Sequence, residues 1–502
     1  MEAEVRRRIR CSGLENKITD ADRAARLIED GMTVAVGGFT PSGCPKAVPA
    51  ALARQVREGE RTVRITLLSG ASTGDEIDTA LSDAGVIARR APYITSASLR
   101  GAVNRGACAY QDVHLGEMAQ NARYGYYGKL DVAVIEACAI TEDGSLVPTT
   151  AVGCAQTYAA LADKVLVELN LAQPAALEGF HDIFPAADPP RRRPIPLTRP
   201  GQRIGGTAIP CGADKIAAVV VTDTPDKPRP LAAPDEVSRA IASNIVRFLQ
   251  NERAVGRLSA DSVPLQSGVG GVANAVLEGL ADSDFTHLSF YSEVMQDAVL
   301  SLLDGGKADF CSATSLSLSE PALARLLGRL DDYKGRIILR DSEISNSPEV
   351  IRRLGLIAMN TAVEADLCGN VNSSHLFGSR IYNGIGGSGD YARGAAVSVF
   401  MTPSTAKGGK ISSIVPCVTH VDHTEHDVDV IVTEQGLADL RGLSPKERAR
   451  LVIECCAHPD YRPPLREYFS RACASCGDSQ TPILLDECFS FHRKFQNTGS
   501  ML

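Results

Sequence analysis

The feature that most constrains this fold is a recurring unit: a short, almost wholly apolar run that ends in glycine or serine and gives way to a helical pattern. Thr33-Val34-Ala35-Val36 runs into Gly37-Gly38-Phe39-Thr40-Pro41-Ser42-Gly43, and the spacing predicts a helix from about Ala47 to Arg57. A second run at 63–68 ends in Ser69-Gly70-Ala71-Ser72-Thr73-Gly74, and runs at 130–135, 164–169 and 216–221 repeat the grammar. Strands without polar alternation are covered on both faces, which is the condition of a mostly parallel sheet between helices. Ligands of such sheets bind in the crevice at the carboxyl ends of the strands. The fold class expected is therefore α/β, with open, mostly parallel sheets.

At 502 residues the chain exceeds a single core. The stretch Thr224-Pro225-Asp226-Lys227-Pro228-Arg229-Pro230 separates the run at 216–221 from a helical pattern opening at Glu236. A domain boundary is expected there, giving domains at 1–227 and 228–502. The second half repeats the α/β grammar, with strands predicted at 336–340 and 428–433 and terminal helices after Ser444-Pro445. The run Asp188-Pro189-Pro190-Arg191-Arg192-Arg193-Pro194-Ile195-Pro196 is expected to be an exposed loop with solvated charges.

Charge and composition remove several classes of function. A formal net charge of -8 is opposite to a nucleic-acid footprint, although a local basic pocket for a phosphorylated ligand is compatible with it. No apolar run approaches the roughly 20 residues that span a bilayer. The opening MEAEVRRRIR carries Glu2 and Glu4 and lacks the apolar segment of an export signal, so a cytoplasmic location is expected. The 14 cysteines are scattered through apolar settings and read as reduced thiols. Cys473-Ala474-Ser475-Cys476 is a lone CxxC without the second pair of a zinc site.

Three stretches carry candidate chemistry. Phe285 to Leu300 reads as a short buried strand followed by apolar positions at helical spacing, Val294, Ala298, Leu302 and Leu303, so Glu293 falls at a strand-to-helix junction. A carboxylate there is placed for catalysis, or it simply favours the first helical turn. Asn383-Gly384-Ile385-Gly386-Gly387-Ser388-Gly389-Asp390 contains a GxGGxG, but the segment 395–400 reads as a strand where a dinucleotide fingerprint requires a helix. Its glycine amides can serve an oxyanion, or the glycines can serve a tight turn. His420-Val421-Asp422-His423-Thr424-Glu425-His426-Asp427 offers ligands for a divalent metal, yet it lies between two apolar stretches and reads as their connection. No metal is expected, and no GxSxG elbow is present.

The blocks GFTPSGCPKAVPAAL, LVPTTAVG, SGVGGVANAVLEGL, YSEVMQDAV, EISNSPEVIRRLG, GNVNSSH, NGIGGSGDYARG, PSTAKGGKIS and CVTHVDHTEHDVDVIVTEQGLADLRGLSP resemble the acetyl-CoA hydrolase/transferase family, from about residue 10 to 470. Within it the chain is most similar to the class I succinyl-CoA:acetate CoA-transferases. The resemblance implies two open α/β domains of the CoA-transferase (NagB-RpiA-like) type and coenzyme A as a substrate, with no separate cofactor. It also implies a homodimer that binds acyl-CoA and small carboxylates. Glu293 would attack the thioester to give an acyl-glutamyl anhydride, and returning CoA thiolate would form a glutamyl-CoA thioester. The amide of Gly387, with that of Val269 or Gly270, would bind the oxyanion; Asn346 would contact Glu293 and the thioester; Glu434 would orient the site. Gly386, Gly387, Asn346 and Lys407 would lie against CoA, and the acceptor carboxylate is expected at Ser72 and Lys227. A propionyl-CoA:succinate pairing, or hydrolysis of the same glutamyl thioester by water, are the alternatives.

Overall fold

The computed structural model describes residues 2–228, 233–258 and 264–502. Arg229 and Pro230, at the end of the proline-rich stretch where a domain boundary is expected, lie outside the described residues. The chain forms two compact units. One takes the chain up to 228 together with Phe290–Leu300 and Asp309–Leu354; the other takes 233 to Ser289, Ser301–Ala308 and Gly355–Leu502. These units interleave along the chain rather than following one another, because the segment around Glu293 returns to the first unit after the second has begun.

In the first unit the apolar runs pair as the patterning predicts. The strands Ile18–Thr19, Ile216–Thr222, Lys164–Asn170, Val132–Ile140, Thr33–Val36, Ile65–Leu68, Ile87–Ala91 and Ala109–Tyr110 lie side by side in that order, all parallel. Leu146–Pro148 adds an antiparallel edge segment to Val132–Ile140. Every residue of Thr33–Val36 and Val132–Ile140 is buried, as a strand covered on both faces requires. The helix Ala47–Arg57 covers this sheet, and its first turn is held by the buried Glu168 carboxylate, which accepts from the amides of Lys46 (2.7 Å), Ala47 (3.0 Å) and Val48 (2.7 Å). The Lys46 ammonium in turn pairs with Glu136 (2.6 Å) and Asp226 (2.9 Å), tying the start of the proline-rich stretch to the sheet.

A second set of parallel strands in the same unit pairs residues 311–313 with 337–339, and Leu339-Arg340 with His181-Asp182. The second unit contains the parallel strands Pro264–Ser267, Ile357–Thr361, Val397–Met401 and Val430–Thr433, with the antiparallel Gly436–Asp439 at the edge. The segment Val397–Met401 is a strand, as its β-branched content predicts, and the glycine-rich stretch opens instead the short helix Ser388–Gly394.

The charged run at 188–196 is mostly exposed, as expected, with Pro189, Pro190, Arg191, Arg193, Pro194 and Pro196 facing solvent, but three of its residues are engaged. Ile195 is buried, Asp188 pairs with Arg123 at 2.8 Å, and Arg192 donates to the buried Glu343 at 2.9 Å. Arg123 bonds the same Glu343, so two guanidiniums neutralise one buried carboxylate. Through Arg192 the run clasps its own unit, because a buried glutamate needs charged partners and Arg192 and Arg123 supply them.

Candidate active site

Glu293 follows the buried strand Leu288–Tyr291, but it is not in a first helical turn. A two-residue strand, Val294–Met295, pairs in parallel with Ser315–Leu316 before the helix Asp297–Asp304 begins. The Glu293 carbonyl accepts from the amides of Thr314 (2.7 Å) and Ser315 (3.1 Å), and the Ser292 amide donates to Ser312 at 2.9 Å. Its backbone is thus fastened on both sides to a neighbouring segment. The helix-dipole alternative falls away, since the residue lies outside the helix and its carboxylate is directed elsewhere.

That carboxylate accepts from the Asn346 side chain, Nδ2 to Oε1 at 2.5 Å. Asn346 ends the short helix Ser342–Ser345, which is itself anchored on several sides. The Ser342 amide donates to Gly153 at 2.9 Å, Cys154 Sγ and Ser342 Oγ are 3.0 Å apart, and the Tyr291 hydroxyl donates to Ile344 at 2.5 Å. Tyr291, two residues before the glutamate, therefore fixes the distance between the strand end and the asparagine. Burial pushes the Glu293 carboxyl up to about 7, with the Asn346 bond acting in the opposite direction. Replacing Asn346 with alanine removes that lowering influence, so the acid limb of the kcat/KM profile should move to higher pH; a limb that stays in place or moves down would contradict this geometry.

Beside Glu293, Val294 packs against Phe39, Ala71, Leu115 and Ala151, with Tyr93 partly buried against them. This apolar surface is built from the loops at the carboxyl ends of the first unit's strands. Gly153 makes their close approach possible: its φ is +58°, and a Cβ there would lie 2.4 Å from the Gly38 carbonyl oxygen. Ser72 is buried in the same loop as Ala71. Below that loop the fully buried Arg90 donates to Asp78 (3.0 Å) and to the Ala71 carbonyl (3.1 Å), and Asp78 accepts from the Thr73 amide (3.0 Å). Lys227 is largely exposed and lies 3.5 Å from Glu76, in the segment that follows Ser72. The first unit thus brings together Glu293 and Asn346 beside a buried apolar cluster, with Ser72 next to Ala71 of that cluster; sequence reasoning missed Tyr291, Phe39 and Leu115 because nothing in their local pattern separates them from core residues.

The second unit holds the remaining expected residues. Val269 is exposed between Pro264–Ser267 and the helix Gly271–Asp282, at the carboxyl end of a parallel strand, and Gly270 has φ +123°. Gly386, at φ +62°, and Gly387, at φ -93°, make the turn that opens the helix Ser388–Gly394. Lys407 is exposed at the tip of the hairpin 405–412, in the left-handed region, with its ammonium 5.1 Å from the centre of the Phe495 ring. Glu434 accepts from the Ser404 amide (2.8 Å) and hydroxyl and from Gln435 (3.0 Å). Burial acts to raise this carboxyl, but the Ser404 and Gln435 bonds outweigh it and hold it below the usual range. It steadies the strand that enters the lysine hairpin.

Among the described residues one group has metal-ligand proximity, His375, His420 and Asp422, with ligand atoms within 4.8 Å of one another. The Asp422 carboxylate accepts from the amides of Ser373 (2.6 Å) and Ser374 (2.9 Å) and from the Ser374 hydroxyl, which makes it a clasp between the loop and the segment at 373–375. All 14 cysteines are free thiols, and Cys473 and Cys476 lie in the helix Arg462–Cys476.

Comparison with known proteins shows the family. Residues 2–223 match the acetyl-CoA hydrolase/transferase N-terminal domain, and residues 323–469 match the C-terminal domain of the same family. The chain belongs to the acetyl-CoA hydrolase/transferase family, and it is an enzyme of the CoA-transferase type. It is 52% identical over 495 residues to a succinyl-CoA:acetate CoA-transferase of Clostridium kluyveri, covering 99% of this chain and 92% of that protein. It is 44% identical over 486 residues to a propanoyl-CoA:succinate CoA transferase of Escherichia coli, covering 96% and 98%. It is 43% identical over 514 residues to an acetyl-CoA hydrolase of Candida glabrata, covering 99% and 97%. In fold it is similar to the crystal structure of RipA from Yersinia pestis, with a TM-score of 0.70 and 22% identity over 90% of this chain and 97% of that one. It is similar likewise to a 4-hydroxybutyrate CoA-transferase from Porphyromonas gingivalis, with a TM-score of 0.63 and 21% identity over 91% and 98%.

Proposed function

We propose that the protein transfers CoA between succinyl-CoA and acetate, giving acetyl-CoA and succinate, with Glu293 as the nucleophile. The observation that carries this reading is the glutamate itself: its carboxyl is raised to about 7, and it is oriented by Asn346 and backed by a buried apolar cluster at Val294. The ionised carboxylate attacks the thioester carbonyl, the carbon–sulfur bond breaks, and CoA leaves as thiolate from an acyl-glutamyl anhydride. The thiolate then attacks the glutamyl carbonyl, releasing the donor's carboxylate and leaving a glutamyl-CoA thioester that the acceptor resolves by the reverse steps. Val269 and Gly387 are the proposed amide donors to the oxyanions, each worth about 10²–10³ in rate in a comparable acyl-transfer site. Asn346 directs the glutamate, Gly386 and Lys407 meet CoA, Glu434 supports the lysine hairpin, and Ser72 and Lys227 take the acceptor carboxylate. The pairing with acetate is supported by the identity to the Clostridium kluyveri enzyme.

CoA serves as substrate and no further cofactor is proposed. A cytoplasmic homodimer completes the reading; among the described residues no helix is long and apolar enough to cross a membrane. The test is a partition experiment: succinyl-CoA is supplied with acetate, propionate or no acceptor, and the thioester products are resolved. Acetyl-CoA formed in preference to free CoA supports the proposal. Free CoA as the main product with acetate present would make the protein a hydrolase, and preference for propionate would reassign the acceptor.

A further inference from the structure

The histidine-rich loop at 420–427 has no part in the reaction as proposed, yet one of its residues reaches the glycine turn. His423 is 1% exposed and its backbone is fixed in both directions by Val371, the Val371 amide donating to the His423 carbonyl at 2.8 Å and the His423 amide to the Val371 carbonyl at 3.0 Å. Its ring lies against Phe400 of the strand Val397–Met401, with centroids 4.5 Å apart and planes at 37°. Nε2 is 3.0 Å from the hydroxyl of Ser388, the residue after Gly387. That hydroxyl donates its only proton to the Ile385 carbonyl at 2.7 Å. His423 must therefore be the donor to Ser388, which fixes the proton on Nε2.

The consequence is a brace across two glycines. Ile385 precedes Gly386 and Ser388 follows Gly387, so the serine oxygen joins both ends of a turn whose own residues carry no side chain to hold it. Gly386 sits at φ +62°, where glycine is permissive and therefore soft. We infer that His423, acting through Ser388, positions the Gly387 amide for oxyanion binding. His423 is a positioning residue and touches no reacting atom. The inference rests on the proposed role of Gly387.

His423→Ala should lower kcat by about 10–100-fold, the scale of a small misplacement at a reacting centre, with KM for succinyl-CoA changed less than about twofold. His423→Gln, which keeps an N–H donor at similar reach, should restore most of the loss, whereas His423→Leu, which keeps packing against Phe400, should not. Ser388→Ala should lose kcat to a similar extent, and the double variant His423→Ala/Ser388→Ala should be no worse than either single one, because both remove the same link. Ser388→Ala deletes one oxygen and carries the test if His423→Ala fails to fold. Unchanged kcat in the single variants, losses that multiply in the double variant, or rescue by leucine would overturn the inference. Glu293→Gln is the reference arm: an inactive Glu293→Gln beside a fully active His423→Ala overturns the positioning role alone, whereas an active Glu293→Gln overturns the proposed function and this inference with it.

Discussion

Glu293→Gln should lose about 10⁴–10⁶ in turnover, the scale at which a covalent nucleophile is missed. The substitution is close to isosteric: an amide oxygen can still accept from Asn346, and the backbone bonds of residue 293 to Thr314 and Ser315 involve no side-chain atom. Folding should therefore survive while the attacking oxygen is gone. Intact-mass spectrometry after incubation with succinyl-CoA and brief borohydride treatment reads the step directly. The wild-type glutamyl-CoA thioester should be reduced to an alcohol, losing one oxygen and gaining two hydrogens, while the glutamine variant stays unchanged. A wild-type protein that turns over acyl-CoA without this change would rule out the carboxylate mechanism. The pH profile adds a sign. The nucleophile must be ionised, and its carboxyl is raised to about 7, so kcat/KM should climb with pH up to about 7 and level above it. A profile flat from pH 5 to 8 would place the essential ionisation elsewhere.

The second large effect is on stability. Asp182→Ala should destabilise the protein by about 3–5 kcal/mol, measured as a lower urea midpoint, because it strands a buried cation. Arg340 and Asp182 are fully buried and bonded to each other. Arg340 also donates to Ser312 Oγ (2.8 Å) and to the carbonyls of Pro200 (3.1 Å) and Gln202 (2.6 Å), while Asp182 accepts from the amides of Ile204 (3.0 Å) and Gly205 (2.6 Å). Removing the carboxylate leaves the guanidinium without its counter-charge and two loop amides without an acceptor. The pair Asp182→Leu/Arg340→Met should recover part of the loss, since no lone charge remains. A single variant within 1 kcal/mol of wild type would show that water reaches the pair. Activity should fall too, because the Ser312 carbonyl accepts from the Ser292 amide, next to Glu293.

Much of the architecture was legible in the chain because it is local. An unbroken apolar run followed by glycine and serine implies a doubly covered strand and a loop at its carboxyl end, whatever its neighbours turn out to be. Thr33–Val36, the helix Ala47–Arg57 and the helix opening at Pro445 lie where the patterning puts them. Glu293 was legible as a residue at a strand end, but its surroundings were misread at one point: the helical spacing of Val294, Ala298 and Leu302 hides the short strand Val294–Met295. That strand exists because Ser315–Leu316 offers it a partner. Likewise Arg191 and Arg193 are exposed as the charged run suggests, whereas Arg192 between them meets Glu343, 151 residues beyond it.

What the amino-acid sequence by itself determined is the α/β grammar, the strand-end location of the glutamate and the glycine content of the turn at 384–389, all properties of residues within about a dozen positions of one another. The bond of Asn346 to Glu293, across 53 positions, is the contact the family resemblance implied, whereas that of His423 to Ser388, across 35, was decided by tertiary structure alone. Partial burial raises the Glu293 carboxyl toward neutrality and the Asn346 amide orients it, and both depend on the fold. The cluster that packs Val294 beside it, Phe39, Ala71, Leu115 and Ala151, is distant in the chain and ordinary in its local pattern, so no periodicity records it.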